Sequence, residues 1–561
     1  MKPKIYLLST LFLFLFIGQI NSQLSQNQLQ KIDRLFIDWN TPNHPGGAIA
    51  VMKDGKRVFS KAYGLASLEY LIPNSTETFF NIGSNSKQFT AMGIVILKER
   101  NSLSFDDDIR TYIPELPVFA KTITIRHLLH HTSGLRDLHG LLGLAGWRND
   151  DVISNVDLNR IIVKQNSLNF KPGEEILYCN TGYMLLVNII EKVTGKKFKY
   201  WLKENIFDPL GLNNTYVEDQ YDRVVLNNAT SYAGTSNFNR KIAYWNYVGS
   251  GNMHSTTSDL LKWLQNFSNP KEGWKSAFAT LLTMNPLTNG NPNIFGFGVR
   301  IEKHLGRKII QHGGAIGGFR SIIRSYPEDN LNIVVLSNFT GSKIVTKTNR
   351  IAEIIYPVEE KVTTQNQIQL TKKSKKIIKL STKKLAKFEG TYWNTKEKYG
   401  RKIYVRNDTL RYLRLDGSES LLAPIKKNSF LMLNVSVDVI ITFNSKDGVK
   451  QMIVNVENEL PAVFDLHNIS KKTISKELSE YAGKYYSPEI ETAYTVLIKG
   501  SEIYIHHIRH GNIKLKRLYQ DILKGEWPIN MVEIKRNHKG KVEGLRITNG
   551  RVRNLWFKKT L

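Results

Sequence analysis

Three short motifs stand in order along the chain: Ser84-Asn85-Ser86-Lys87, Tyr178-Cys179-Asn180 and His312-Gly313-Gly314. Together they hold the parts of an acyl-transfer site. A serine hydroxyl is a weak nucleophile until a base stands within hydrogen-bond reach and donors await the developing oxyanion. Ser84 and Lys87 are three positions apart, so on a helix they share one face and can touch. Ser84 is the candidate nucleophile. Lys87 and Tyr178 are both candidates to take its proton, and the residues alone do not decide between them.

Singly, each motif is common. Ser-x-x-Lys recurs at Ser268–Lys271 and Ser381–Lys384, Tyr-x-Asn at Tyr244–Asn246 and Tyr392–Asn394, and His-x-Gly at His44–Gly46. Context separates them. Ser84 follows the apolar approach Phe79-Phe80-Asn81-Ile82-Gly83 and opens the run from Phe89 to Leu97. A serine at the mouth of a buried helix has backbone N–H groups and the helix dipole turned toward incoming negative charge. The competing serines sit in a polar loop and a lysine-rich stretch. Lys87, between apolar runs, is expected to be partly desolvated, which lowers a lysine pKa and makes it a plausible base. For Tyr178, the nearby ammonium is expected to favour the phenolate.

On these motifs the chain resembles the serine β-lactamase and penicillin-binding protein superfamily, on the side of its class C enzymes, serine esterases and D-aminopeptidases. The resemblance runs from about Asn43 to Pro357. It takes in Ile123-Thr124-Ile125-Arg126-His127-Leu128-Leu129-His130-His131-Thr132-Ser133-Gly134-Leu135, Pro172-Gly173-Glu174-Glu175, and Gly317-Gly318-Phe319-Arg320. It implies an acyl-enzyme on Ser84, without cofactor or metal. Asn180 would bond Lys87 or a substrate amide. Gly313 and Gly314 would let a substrate backbone lie close along their strand. The backbone N–H groups of Ser84 and Ala315 would form the oxyanion hole. His312 stands where many relatives carry the Lys of Lys-Thr-Gly. Histidine is mostly neutral at pH 7 and anchors a carboxylate weakly. That swap points to esterases and D-amino-acid peptidases rather than efficient β-lactamases.

The positioning elements are legible as patterns. Apolar residues at Leu29, Ile32, Leu35, Phe36 and Trp39 predict a helix from Gln26 to Asn40. Ala48 to Met52, Asp54-Gly55 and Arg57 to Phe59 predict a hairpin. Residues 105–290 read as a mostly helical insertion, with helices at 184–193, 198–206 and from Ser258. Strands return at 295–301, 308–312, 319–323 and 331–336 as an antiparallel meander, and a helix over 345–355 closes the region. Early strands, a helical insertion and late strands imply one sheet built from both ends, an α/β (α+β) β-lactamase/transpeptidase-like domain. That topology sets His312 beside the start of the Ser84 helix.

Residues 359–384 read as a basic linker. Beyond it Leu385-Ala386-Lys387-Phe388-Glu389-Gly390-Thr391-Tyr392 matches Leu478-Ser479-Glu480-Tyr481-Ala482-Gly483-Lys484-Tyr485. The turn Lys446-Asp447-Gly448 has its counterpart in His538-Lys539-Gly540. Two related all-β modules, at 385–470 and 476–561, are therefore expected, and short alternating strands close most simply into small barrels. They look similar to the lipocalin-like barrels of D-aminopeptidases. The hydrolase domain is set at 23–358.

Residues 1–22 read as a secretory signal peptide: Lys2 and Lys4, an apolar run to Ile17, then Ser22. A retained anchor is the alternative, although the run is short for a span. The protein is accordingly expected to be exported, to the periplasm or beyond. Cys179 is the one cysteine, so no intrachain disulfide forms, and it reads as a small buried residue. The net charge is +29, of which +20 falls in residues 361–561 and +9 in residues 1–360. The basic half suits an anionic cell-envelope polymer, and no nucleic-acid motif accompanies it. His130-His131 reads as structural. His506, His507 and His510 do not read as a metal site, because neighbours on a strand face opposite ways. The expected function is an exported serine hydrolase of small peptides, D-amino-acid-containing or peptidoglycan-derived, or of small esters. A true β-lactamase and a non-catalytic binding protein are the rivals.

Overall fold

The computed structural model describes residues 24–357 and 377–560, save 398, 415–417, 434, 436–437, 457–460 and 468–473. The expected signal segment and residues 359–376 of the expected linker lie outside the described residues.

Six strands form the central antiparallel sheet, in the order Arg300–His304, Arg307–Ile316, Phe319–Tyr326, Leu331–Ser337, Gly47–Lys53, Lys56–Tyr63. The first hairpin turns at Asp54 and Gly55, both at positive φ, as a tight two-residue turn requires. Its first strand pairs with the last strand of the meander, Gly47 opposite Ser337 through Lys53 opposite Leu331. The two chain ends of the domain thus share one sheet. Leu331–Ser337 is buried along its whole length, as a central strand covered on both faces must be.

One face is covered by the helices Gln26–Arg34 and Ile344–Ile355, with Ile32, Phe36, Trp39, Ile333, Val335 and Ile351 in their core. The other face carries the helical insertion. Its centre is the helix Ser86–Glu99, of which every residue from Ser86 to Leu97 is buried. A helix buried on every side needs cover all round, and this one is enclosed by Asn180–Thr194 and Lys275–Leu281, and by Thr257–Gln265 through Trp263, whose Nε1 donates to Gln88 Oε1 at 2.8 Å.

One strand differs from expectation. Residues 295–299 are a loop, and the edge strand begins at Arg300. Gly298, at φ +73, lies so close to the Lys87 backbone that an added Cβ would fall 2.7 Å from its carbonyl carbon. The alternating Phe-Gly pattern there serves a close approach to the Ser84 helix, not a ladder.

Each C-terminal module is a closed barrel of eight antiparallel strands, the first from Gly390 to His467 and the second from Gly483 to Thr560. The matched turns Lys446-Asp447-Gly448 and His538-Lys539-Gly540 both join the sixth and seventh strands. The barrels differ in how they are held. The first has its own core, around Tyr392, Ile403, Phe430, Phe443 and Phe464. The second shares one continuous core with the helical insertion. The first barrel meets the second through Trp393 stacked on Tyr519, with ring centroids 5.1 Å apart.

Candidate active site

Ser84 lies in a single 3-10 turn, Gly83–Asn85, that feeds the helix Ser86–Glu99. The turn is tied to the sheet from both sides. Asn85 Nδ2 donates to Ser321 Oγ at 2.8 Å, and Ser321 Oγ donates to the Ile82 carbonyl at 2.6 Å. Gly83 sits at φ +52, where a side chain is disfavoured, and an added Cβ would fall 2.6 Å from the Ala315 nitrogen. Gly314 packs from the other side, with its missing Cβ 2.0 Å from the Ile82 oxygen. The two glycines bring the nucleophile turn against the strand Arg307–Ile316. Along this strand the Arg300–His304 ladder ends at Gln311, so residues 312–316 present a free edge beside Ser84. Gly313 and Ala315 are exposed there, while His312 and Gly314 are buried.

Lys87 is completely buried. Its Nζ donates to Ser84 Oγ at 3.3 Å, to Asn180 Oδ1 at 2.8 Å and to the Ser250 carbonyl at 2.5 Å. Burial pulls its pKa down to about 7; the Asp137 carboxylate opposes that fall, and the Arg551 guanidinium adds to it. Asn180 begins the helix Asn180–Thr194, and its own N–H and Nδ2 both donate to Asp137 Oδ2, at 2.8 and 2.9 Å. Asp137 thereby fixes which way the amide faces, leaving Oδ1 for Lys87.

Tyr178 lies under the Lys87 ammonium, whose nitrogen is 4.8 Å from the ring centroid. Its hydroxyl is enclosed and has no hydrogen-bond partner of good geometry, although Ser84 is close enough to pull its pKa down. The expected phenolate does not hold. Burial outweighs Ser84 and Arg551 and raises the phenol's pKa well above its usual value, so Tyr178 is protonated at neutral pH. His131 packs against the ring at a tilt, with centroids 4.3 Å apart, and its Nδ1 accepts the Cys179 N–H at 3.1 Å, which fixes the segment carrying Tyr178. Cys179 is buried, and its thiol is pushed up to about 12, so it packs as a thiol.

His312 also faces this centre, 5.9 Å from Tyr178 between ring centroids. Burial, with Lys87 nearby, holds its pKa down to about 3, so the ring is neutral. Its Nδ1 lies 2.7 Å from the Gly313 oxygen, which assigns the proton to that nitrogen. Nε2 is then a buried acceptor, and it has no partner among the described residues.

These groups line a pocket of about 680 Å³. Ser84, Tyr178, Asn180, His312, Gly313, Gly314 and Ala315 all contribute to its wall, and Lys87 reaches Ser84 from behind. Sequence reasoning missed Asp137 and Arg551. Asp137 follows the family-like Leu-Leu-His-His-Thr-Ser-Gly-Leu segment by two positions, and that proximity is the one available signal. Arg551 comes from the turn before the final strand of the second barrel, and its guanidinium lies 4.8 Å from the Tyr178 ring centroid. Nothing local marks it. His507 and His510 belong to the same docking face: an added Cβ at Gly146 would fall 2.1 Å from the His507 ring, and His510 Nε2 donates to the Gly143 carbonyl at 2.8 Å.

The family model described as Beta-lactamase matches residues 32–355, more than half of the chain. Penicillin-binding protein 4* of Bacillus subtilis (strain 168) is 29% identical over 337 residues, covering 56% of this chain and 73% of that protein. A D-aminopeptidase of Gluconobacter oxydans (strain 621H) is 28% identical over 329 residues, covering 58% of this chain and 62% of that protein. Two solved structures share the fold. An octameric penicillin-binding protein homologue from Pyrococcus abyssi aligns with TM-score 0.53 at 23% identity, over 78% of this chain and 99% of that one. A D-amino acid amidase from Ochrobactrum anthropi SV3 aligns with TM-score 0.51 at 22% identity, over 59% of this chain and 99% of that one. The chain belongs to the beta-lactamase family, and its first domain has that family's serine-hydrolase fold.

Proposed function

We propose that this member of the beta-lactamase family cleaves amide or ester bonds of small peptides, D-residue peptides among them, or of small esters, through an acyl-enzyme on Ser84. The observation that carries the reading is the buried Lys87 Nζ, 3.3 Å from Ser84 Oγ. With a pKa of about 7, much of this amine is neutral at neutral pH and can accept a proton. Tyr178, held protonated, is suited to relaying a proton rather than abstracting one. Lys87 is therefore the base, and Tyr178 carries the proton between it and the leaving group.

In acylation the Ser84 proton passes to Lys87 as the Oγ–C bond forms and the carbonyl electrons move onto oxygen. The N–H groups of Ser84 and Ala315 stabilise that oxyanion. Collapse breaks the bond to the amine or alcohol, which leaves with the proton delivered through Tyr178. Water then gives a proton to Lys87 and attacks the ester carbon; the tetrahedral intermediate expels Ser84 Oγ, which takes that proton back, and the acid product leaves. His312 is a neutral acceptor and a weak carboxylate anchor on the strand side of the pocket. The apolar segment before Gln23 supports export, and the excess of positive charge after residue 360 supports contact with an anionic envelope polymer.

Intact-mass labelling with a fluorophosphonate tests the reading. One adduct is expected on the parent chain and none on Ser84→Ala, with turnover in a panel of D-peptides and esters exceeding that of nitrocefin. No adduct on the parent chain and no turnover would reject it.

A further inference from the structure

Four arginines line the pocket, Arg148, Arg300, Arg320 and Arg551, and among the described residues no aspartate or glutamate does. Three of the four are engaged. Arg148 pairs with Asp150 at 2.8 Å, Arg300 pairs with Glu302, and Arg320 Nη1 donates to the Phe319 carbonyl at 2.7 Å. Arg551 is different. Its guanidinium makes no side-chain hydrogen bond among the described residues, and its nearest acid, Asp137 Oδ2, is 4.0 Å away. That oxygen already accepts two hydrogen bonds from Asn180. The Arg551 side chain is about half exposed, 48%, and lies over the Tyr178 ring.

Its position is nonetheless fixed. The Arg551 carbonyl accepts from the Asp137 N–H at 3.2 Å and from Asn169 Nδ2 at 2.9 Å. A pinned backbone holding a guanidinium whose N–H donors make no hydrogen bond among the described residues, and whose ion pair with Asp137 is stretched to 4.0 Å, is a preorganised fork for a planar anion. His312 leaves the carboxylate-anchoring task unfilled on the strand side. A substrate amine entering the same space would meet guanidinium groups and no carboxylate on the pocket wall.

We propose that Arg551, carried to the pocket by the second barrel, binds a carboxylate of the substrate, so that the site prefers peptides with a free carboxylate over their neutral or amine-presenting counterparts. This rests on the hydrolase reading for the reaction but not for the recognition. It is therefore tested by binding in the full chain carrying Ser84→Ala, where no turnover intervenes. The probes are N-acetylated dipeptides of D and L residues, each as free acid and as C-terminal amide, titrated by calorimetry. The free acid is expected to bind about 10- to 100-fold more tightly than the amide, the range of a charge-assisted hydrogen bond. Arg551→Gln should bring the ratio near one, and Arg551→Lys, which keeps the charge, should restore part of it. No preference for the acid, or a preference that Arg551→Gln leaves intact, would overturn the proposal. Acid preference without any Ser84 adduct on the parent chain would instead reject the hydrolase reading and leave this one standing.

Discussion

Lys87 is where burial becomes chemistry. Its folded pKa of about 7 lies below the ordinary 10.5 because the amine is desolvated. The neutral, proton-accepting form grows as pH rises through that value. kcat/KM for a neutral ester should therefore climb with pH on a limb near 7, and Lys87→Met should remove the activity with the limb. A pH–rate profile checks both. The same shift has a stability sign. The unfolded chain holds this proton up to about 10.5, so Lys87 destabilises the fold most below pH 7, and the penalty fades as pH rises toward 10.5. At this scale Ser84, Lys87, Tyr178, Asn180 and His312 were legible because each motif is local and its spacing is set by one element. The protonation of Tyr178 was not, since it depends on how much water the surrounding chain excludes. Asp137 was not either, because its work, orienting Asn180, is done across a fold.

The strand Arg307–Ile316 and the nucleophile turn act as one unit, joined where two glycines remove side chains. Gly314→Ala would place a methyl 2.0 Å from the Ile82 oxygen and push the strand edge off Ser84. A displacement of this order in a positioned site costs about 100-fold in rate. We expect kcat to fall by about that factor while circular dichroism stays unchanged. His131→Ala should act more gently, by freeing Tyr178, against which the His131 ring packs with centroids 4.3 Å apart. A loss in kcat larger than the change in KM would show positioning rather than binding. The hairpin Gly47–Lys53 to Lys56–Tyr63, the long buried helix and the late meander were readable from period and turn residues. Residues 295–299 misled because alternation is also what a glycine-rich close approach produces, and the partner that decides, the Lys87 backbone, is more than two hundred positions away.

At the scale of the molecule, the second barrel is built into the hydrolase domain. Arg136 Nη1 meets Glu489 Oε2 at 2.6 Å with both side chains enclosed, and Tyr494 donates to the Leu144 carbonyl at 3.0 Å. Removing one partner of a buried pair strands the other charge at a cost of about 3–5 kcal/mol. Glu489→Ala should therefore lower the unfolding midpoint of the full chain measurably. Because Arg136 adjoins Asp137, the variant should also slow Ser84 labelling; a melting curve and a labelling time course check the pair. The barrels themselves were legible, since an internal repeat survives as matched strings and matched turns. Which copy docks, and with which residues, was not, because the contact joins positions hundreds of residues apart and leaves no periodic trace. The duplication has an evolutionary consequence. Two copies of one barrel give selection a spare: the copy around Tyr392 keeps a core to itself, while a hairpin of the other copy overhangs Tyr178. That hairpin turn holds two residues, Gly550 and Arg551, between the strands Val542–Asn549 and Val552–Thr560. Lineages and laboratory libraries can redraw it without substituting the serine, the lysine or the tyrosine, so diversity among orthologues in what they accept should concentrate in this turn rather than around Ser84.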